Sequence, residues 1–340
     1  MISRRAVLAG SALALCPSVP ALAKTEGRNR RIARPVAIEA YPISHFSVTE
    51  RDRRVFGKLT FLGGLELRSK DPEFGGISSG QTDPDGKGFL AMSDHAHWIA
   101  GRFVEKDGVL TGIEAATIAP AIAPDGRRMK DTRYFDSEGM ARKGNSVFIS
   151  VERTHDILQF DLASEGFAAR GRLIEVPAEM KGLDDNRGIE ALGVLPKESP
   201  YAGSLIALAE RAPSGARSPD NPGWIIGPRA GRLTVRKVGA FDITDVNFLP
   251  DGDMLILERR FSPFFGLGFR IRRIPIGAVK PGAVLDGEVL IEADLSHQID
   301  NMEALMVHRA ADGRTMLTIL SDDNFSLLQR TLVLRFALPV

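Results

Sequence analysis

The chain has 340 residues, is 44% hydrophobic and almost charge-balanced, with 44 Lys+Arg against 43 Asp+Glu and a single cysteine. That apolar content is ample for a stacked-sheet core, and the near-neutral charge gives no reason to expect nucleic acid or an anionic membrane as partner. One cysteine allows no intrachain disulfide and no multi-thiolate metal site.

Ser3-Arg4-Arg5-Ala6-Val7-Leu8 opens an apolar stretch ending at Pro20 and the small-residue pattern Ala21-Leu22-Ala23. Residues 1–23 therefore read as a bacterial export signal of twin-arginine type, its apolar part too short to span a membrane. Cleavage after Ala23 removes Cys16 and two arginines but no acid, which moves the formal charge from +1 to −1 and excludes thiol chemistry. The expectation is a soluble periplasmic or secreted protein without stable membrane insertion. A lipid anchor would need a small residue before Cys16, where Leu15 stands. Residues 24–45 are basic and proline-containing and read as a flexible lead-in to a domain over 46–340.

From there short strand-like runs recur at 56–67, 88–93, 146–151, 204–208, 254–257, 315–320 and 331–338. Turn signals punctuate them, among them Asp83-Pro84-Asp85-Gly86, Pro124-Asp125-Gly126, Pro250-Asp251-Gly252 and Asp312-Gly313. No window of helical length carries a 3.6-residue apolar stripe, so the chain reads as all-β.

One phrase repeats five times, an acidic or glycine-containing start leading into a strand that ends in an acid. Its copies run from Gly75-Gly76-Ile77 to Ser93-Asp94-His95, from Asp136-Ser137-Glu138 to Glu152-Arg153, from Gly188-Ile189-Glu190 to Glu210-Arg211, from Thr244-Asp245-Val246 to Glu258-Arg259, and from Asn301-Met302-Glu303 to Ser321-Asp322-Asp323. A strand-bearing period of roughly 50 to 60 residues predicts a β-propeller with one blade per copy. Five blades are expected, six if one copy is degenerate. The unassigned strand at 57–67 should pair with 331–338 and close the ring.

One set of acids, Glu138, Glu190, Asp245 and Glu303, lies where the innermost strands begin. A second set, Asp94, Glu152, Glu210, Glu258 and Asp322, lies where the next strands end, and antiparallel pairing brings the two sets together as a crown at one mouth. So many like charges require arginines or hard cations beside them. One reading pairs the acids with Arg153, Arg187, Arg211 and Arg259 in structural ladders between blades. The other has the nine acids bind Ca²⁺, an ion of oxygen ligands, while the arginines hold an anionic substrate group. His95 and His97 lie on one face if extended, as polar residues of the mouth or as metal ligands; His95 joins the arginines as a candidate substrate contact.

Gly76-Ile77-Ser78-Ser79-Gly80 matches G-x-S-x-G, but a turn follows rather than the helix a nucleophile elbow needs. Walker A, Rossmann and H-E-x-x-H patterns are lacking.

The runs Phe74 to Ser78, Ala91-Met92-Ser93-Asp94, Asp136-Ser137-Glu138-Gly139, Asn186 to Leu192, Met302-Glu303-Ala304-Leu305 and Ser321 to Phe325 resemble the phytase-like family, labelled "esterase-like activity of phytase". The resemblance covers the chain from about residue 55 onward. It implies kinship with β-propeller phytases, which bind Ca²⁺ in an acidic channel and hydrolyse phosphomonoesters. Two departures stand out: Gly75-Gly76 in the first copy where others have an acid, and Asp245 in the fourth where others have Glu. The function expected is a Ca²⁺-dependent hydrolase of phosphate or carboxylate esters, with Glu138, Glu190 and Glu303 as candidate catalytic groups and a small anionic or ester substrate. The alternative is a non-catalytic periplasmic propeller that binds a ligand or protein partner around a structural ion. A third reading is a serine esterase using Ser78.

Overall fold

The computed structural model describes residues 33–262 and 266–339. The export signal expected over 1–23, and the first part of the lead-in, lie outside these residues. Five sheets, antiparallel but for one added edge strand, are arranged around one axis, each contributing one innermost strand, and adjacent innermost strands pack in a closed ring.

The first blade runs outward through Ile77–Thr82, Gly88–Ser93, His97–Lys106 and Val109–Pro120. The second is Ser137–Lys143, Ser146–Val151, Asp156–Asp161 and Arg172–Leu173. The third is Ile189–Val194, Leu205–Ala209, Asn221–Ile226 and Gly231–Val235, with Val284–Leu285 added in parallel at its edge. The fourth is Asp242–Phe248, Met254–Ser262, Gly266–Ile274 and Glu288–Asp294. The fifth begins with Asn301–Arg309, Thr315–Asp322 and Thr331–Leu338 from the end of the chain and is completed by Leu59–Arg68 and Glu39–Ile43 from its start.

The closing strand pairs as the repeat count requires, Thr331 opposite Leu67 and Ala337 opposite Thr60. This ties the two ends of the chain together and removes two open edges. The expected lead-in is not loose throughout. Arg34–Pro35 adds to the outer edge of the first blade and Glu39–Ile43 to that of the fifth, because each finds an unpaired strand edge there.

Five apolar clusters fill the five interfaces between blades. The interface of the fourth and fifth is the most aromatic, with Phe46 against Phe56, Phe61, Phe269 and Phe336. Burial of each such ring contributes about 1.5–3 kcal/mol. Core strands such as Leu205–Ala209 are buried along their length, which explains their continuous apolar runs. Among the described residues no helix is long and apolar enough to cross a membrane.

Candidate metal and catalytic site

Every innermost strand carries a one-residue β-bulge at the same level. The extra residues are Ser78 in the first blade, Glu138 in the second, Glu190 in the third, Thr244 in the fourth and Glu303 in the fifth. A bulge re-aims its side chain, here at the mouth end of the ring. Three of the five positions are therefore glutamates and two are hydroxyls. Ser78 Oγ donates to Ser137 O at 2.6 Å, and Thr244 Oγ1 to Met302 O at 3.2 Å, each stitching one innermost strand to the next.

This alignment corrects two expectations. The residue matching the glutamates in the first blade is Ser78, not Gly75 or Gly76. In the fourth it is Thr244, not Asp245. Asp245 sits one residue on and is turned between blades, where its carboxylate accepts from Leu305 N and Val246 N at 2.7 Å each. It is no part of the mouth, because adjacent strand residues face opposite ways.

The second ring is set by backbone bonds at the head of each blade. Asp94 N donates to Gly76 O, Glu152 N to Asp136 O and Glu210 N to Gly188 O, while Asp322 lies opposite Asn301. In the fourth blade the residue in that place is Arg259, opposite Asp242, whereas Glu258 lies opposite Ile243. Glu258 thus faces away from the mouth, a second correction to the expected ligand set. It is buried under Arg270 and Arg272, with Nε bonds at 2.6 and 2.8 Å and Nη2 bonds at 3.1 and 2.7 Å.

The acids that do converge form two trios. Asp136, Glu138 and Glu152 have oxygens within 4.8 Å of one another, and so do Glu152, Glu190 and Glu210, with Glu152 common to both. Burial, followed by repulsion from neighbouring carboxylates, pushes Glu138 and Glu190 well above the usual carboxylate range. Burial and Asp136 bring Glu152 to about 7. Among the described residues the Glu138 carboxylate has neither hydrogen-bond donor nor counter-ion. Asp136 is paired with Arg153, and Glu210 lies near Arg211 and Arg259, but among the described residues Glu138, Glu152 and Glu190 between them have no ion-pair partner, and oxygen donors of this kind fit a hard divalent cation.

The other side of the mouth is neutralised from within the chain. Arg259 lies 3.0 Å from Glu303 Oε1 and 3.6 Å from Glu210 Oε1, and it donates to Asn301 Oδ1 at 2.9 Å. These neighbours, Glu303 first, hold its guanidinium firmly charged. Burial still raises Glu303 to about 8. Asp94 and Asp322 are raised to about 7, again chiefly by burial.

The remaining arginines line the rim. Arg153 meets Asp136 at 2.6 Å and lies over Phe135, and Arg211 meets Asp242 at 2.6 Å. Arg187 is 3.5 Å from Asp184 rather than paired with Glu190. His95 is exposed and stacked on Phe325 at 4.2 Å, while His97 is buried 3.3 Å from Glu73. Ala96 adopts φ 56 between them, and this turn separates the two rings that an extended chain would have placed together. Ser78 touches backbone carbonyls and no histidine, so no elbow forms.

Asp136 opens the second repeat and lies outside the ligand set that the sequence predicts; its left-handed φ of 70 turns it back toward Glu152.

The family described as "Phytase-like: Esterase-like activity of phytase" matches residues 72–325. Nothing among curated proteins matches the chain. Solved structures similar in fold include the glutaminyl cyclase of Myxococcus xanthus, at 10% identity and TM-score 0.40 over 90% of this chain and 100% of that one. Another is the Cps50 (Swd1) β-propeller domain of Myceliophteria thermophila, at 10% identity and TM-score 0.39 over 89% and 100%. A nidogen/laminin complex aligns at 10% identity and TM-score 0.38 over 83% and 88%.

Proposed function

This chain belongs to the phytase-like family, and from that premise we propose that it is an exported, Ca²⁺-dependent hydrolase of phosphate or carboxylate esters that works at the mouth of the propeller. The observation that carries the reading is the pair of carboxylate trios sharing Glu152. Export rests on the Ser3-Arg4-Arg5 segment and its cleavage pattern.

Asp136, Glu138 and Glu152 would hold one ion, and Glu152, Glu190 and Glu210 would hold another or the other half of the same site. When bound, a divalent cation supplies polarisation of the ester and a more acidic water. The chain's own residues do the rest. Glu303 belongs to neither trio. Asn301 Nδ2 at 2.9 Å and Arg259 Nε at 3.0 Å engage its Oε1, which leaves Oε2 to take or give a proton. Its raised pKa of about 8 suits a group that exchanges protons near neutral pH. Arg259 and Arg211 orient an anionic group and favour the charge that develops on it.

The test is thermal unfolding of the purified protein with Ca²⁺ and with chelator, together with turnover of a phosphomonoester and a carboxylester. Stabilisation by Ca²⁺ accompanied by Ca²⁺-dependent turnover, lost in Glu190→Gln without unfolding, is the expected result. Stabilisation with no turnover of either ester sinks hydrolysis and leaves a propeller that binds a ligand around an ion. No response to Ca²⁺ sinks the metal site itself.

A further inference from the structure

The fifth and first blades meet at the seam that closes the ring, and the end of that seam away from the mouth buries positive charge. Asp322 marks the mouth end of Thr315–Asp322, and His308 lies opposite Met316 near the other end. Arg335, on the closing strand, lies opposite Thr318, which in turn lies opposite Met306. Side chains two residues apart share a face, so His308 and Arg335 stand on the same face as Met306, which packs in the apolar cluster of this seam. Both are buried, His308 at 7% exposure and Arg335 at 2%.

The His308 ring lies flush on a turn of the first blade. Gly86 there has φ 69, and a Cβ added to it would fall 2.1 Å from His308 Nε2. Arg335 lies over the Phe103 ring at 5.0 Å, donates through Nη1 to Glu105 and through Nε to Thr318 Oγ1 at 3.1 Å, and buries Nη2 without a partner. His308 Nδ1 is likewise buried without a partner. The charged groups that face His308 are Arg335 on the closing strand, Glu105 on His97–Lys106 and Asp85 in the Gly86 turn. Glu105 is already paired with Arg335, and Asp85 accepts from Lys87 N at 3.0 Å. Asp83 of the same turn lies 3.4 Å from Arg142 of the second blade.

Two other histidines are buried, and each has a partner: His97 lies 3.3 Å from Glu73, and His155 Nε2 is 3.1 Å from Leu183 O. His308 has no hydrogen bond or ion pair among the described residues. A neutral imidazole is tolerated in such a place. An imidazolium would be a second buried cation beside Arg335, with one carboxylate already committed between them. Burial first and then Arg335 hold the His308 pKa down at about 4. Parting the blades would hydrate the ring and return it to an ordinary value of about 6.5, so the closed seam loses stability as pH falls from there toward 4. The raised carboxyls of the mouth act in the opposite sense, which makes a local measurement necessary.

We propose that this seam is an acid-opened latch: protonation of His308 beside the Arg335–Glu105 pair parts the fifth and first blades at the end away from the mouth.

Hydrogen exchange followed by mass spectrometry on the purified protein at pH 7 and pH 4.5, with the intrinsic pH dependence of exchange divided out, tests this. Protection of Gly88–Ser93 and Asn301–Arg309 is expected to fall about 50- to 100-fold at the lower pH, while Met254–Ser262 of the fourth blade shows no such fall. His308→Phe, a ring of similar size that does not titrate, should hold protection of the two seam strands within about threefold between the two pH values. His308→Gln should do the same, and serves alone if the phenylalanine variant does not fold. An undiminished fall in these variants, a fall shared equally by Met254–Ser262, or no fall in the wild-type protein overturns the latch.

Discussion

The second, third and fourth blades carry the same dipeptide at the same repeat position, Glu152-Arg153, Glu210-Arg211 and Glu258-Arg259, yet the fourth uses it the other way round. In the second and third the glutamate enters the mouth and the arginine stays at the rim. In the fourth the arginine enters the mouth and the glutamate is buried beneath Arg270 and Arg272. The cause is a hairpin register that places Glu258 opposite Ile243 where its counterpart Ala209 lies opposite Ile189. The tight turn at Leu249–Asp253 sets that register, and a slip of one residue reverses every side chain. Equivalent glutamates of one motif thus become a member of the carboxylate cluster in one blade and a structural anchor in the next.

The largest expected effect comes from breaking the anchor. Glu258→Gln leaves Arg270 and Arg272 buried without their counter-ion and should cost about 3–5 kcal/mol in denaturant unfolding. Turnover per folded molecule should be retained. Unchanged stability would mean that the two arginines find other acids, with Asp286, already 3.1 Å from Arg272, as the first to check.

Glu152→Gln probes the other side. Its loss takes a ligand from both trios, so Ca²⁺ affinity by calorimetry should fall at least tenfold, while the metal-free protein keeps or gains stability as like-charge repulsion is relieved. A destabilised metal-free variant would show that Glu152 acts as Glu258 does.

The same contrast can be read through pH. Glu303 at about 8 and Glu152, Asp94 and Asp322 at about 7 are all raised above their unfolded values, so the folded state binds more protons between the unfolded and folded values. Their contribution is present at low pH and is lost as pH rises through about 7 to 8. The Tm of the metal-free protein should fall across pH 5 to 8, and saturating Ca²⁺ should reduce that fall by the share that Glu152 carries, because of these four only Glu152 belongs to the trios where cation and proton compete for the same oxygens. An equal fall with and without Ca²⁺ would break the link between the raised carboxyls and the ion.

The smallest effect is expected at Ser78→Ala. Its hydroxyl donates to Ser137 O, so about 1 kcal/mol of stability should be lost and turnover should stay within twofold. Abolished turnover of a carboxylester would revive the serine-esterase reading.

The blade count and the ring closure were legible because each rests on patterns of hydrophobicity and turns that local chemistry imposes, as in the pairing of 59–68 with 331–338. Glu138, Glu190, Glu303, Glu152 and Glu210 were legible as a group because the second and third blades repeat both positions and the fifth repeats the first of them. Asp245 and Glu258 were misplaced for one shared reason: both are one residue out of step with the bulge and the hairpin, and no composition or spacing records a bulge before the strands are paired. Asp136 and His95 were likewise decided by single left-handed residues, Asp136 itself and Ala96.

By itself the amino-acid sequence determined the all-β architecture, the five copies and the supply of carboxylates and arginines, since these follow from side-chain identity and period. Which carboxylates converge, and which is locked beneath arginine, only the tertiary structure decided. That choice depends on strand register and on where each bulge turns a side chain, both of which exist only once strands from distant parts of the chain have paired.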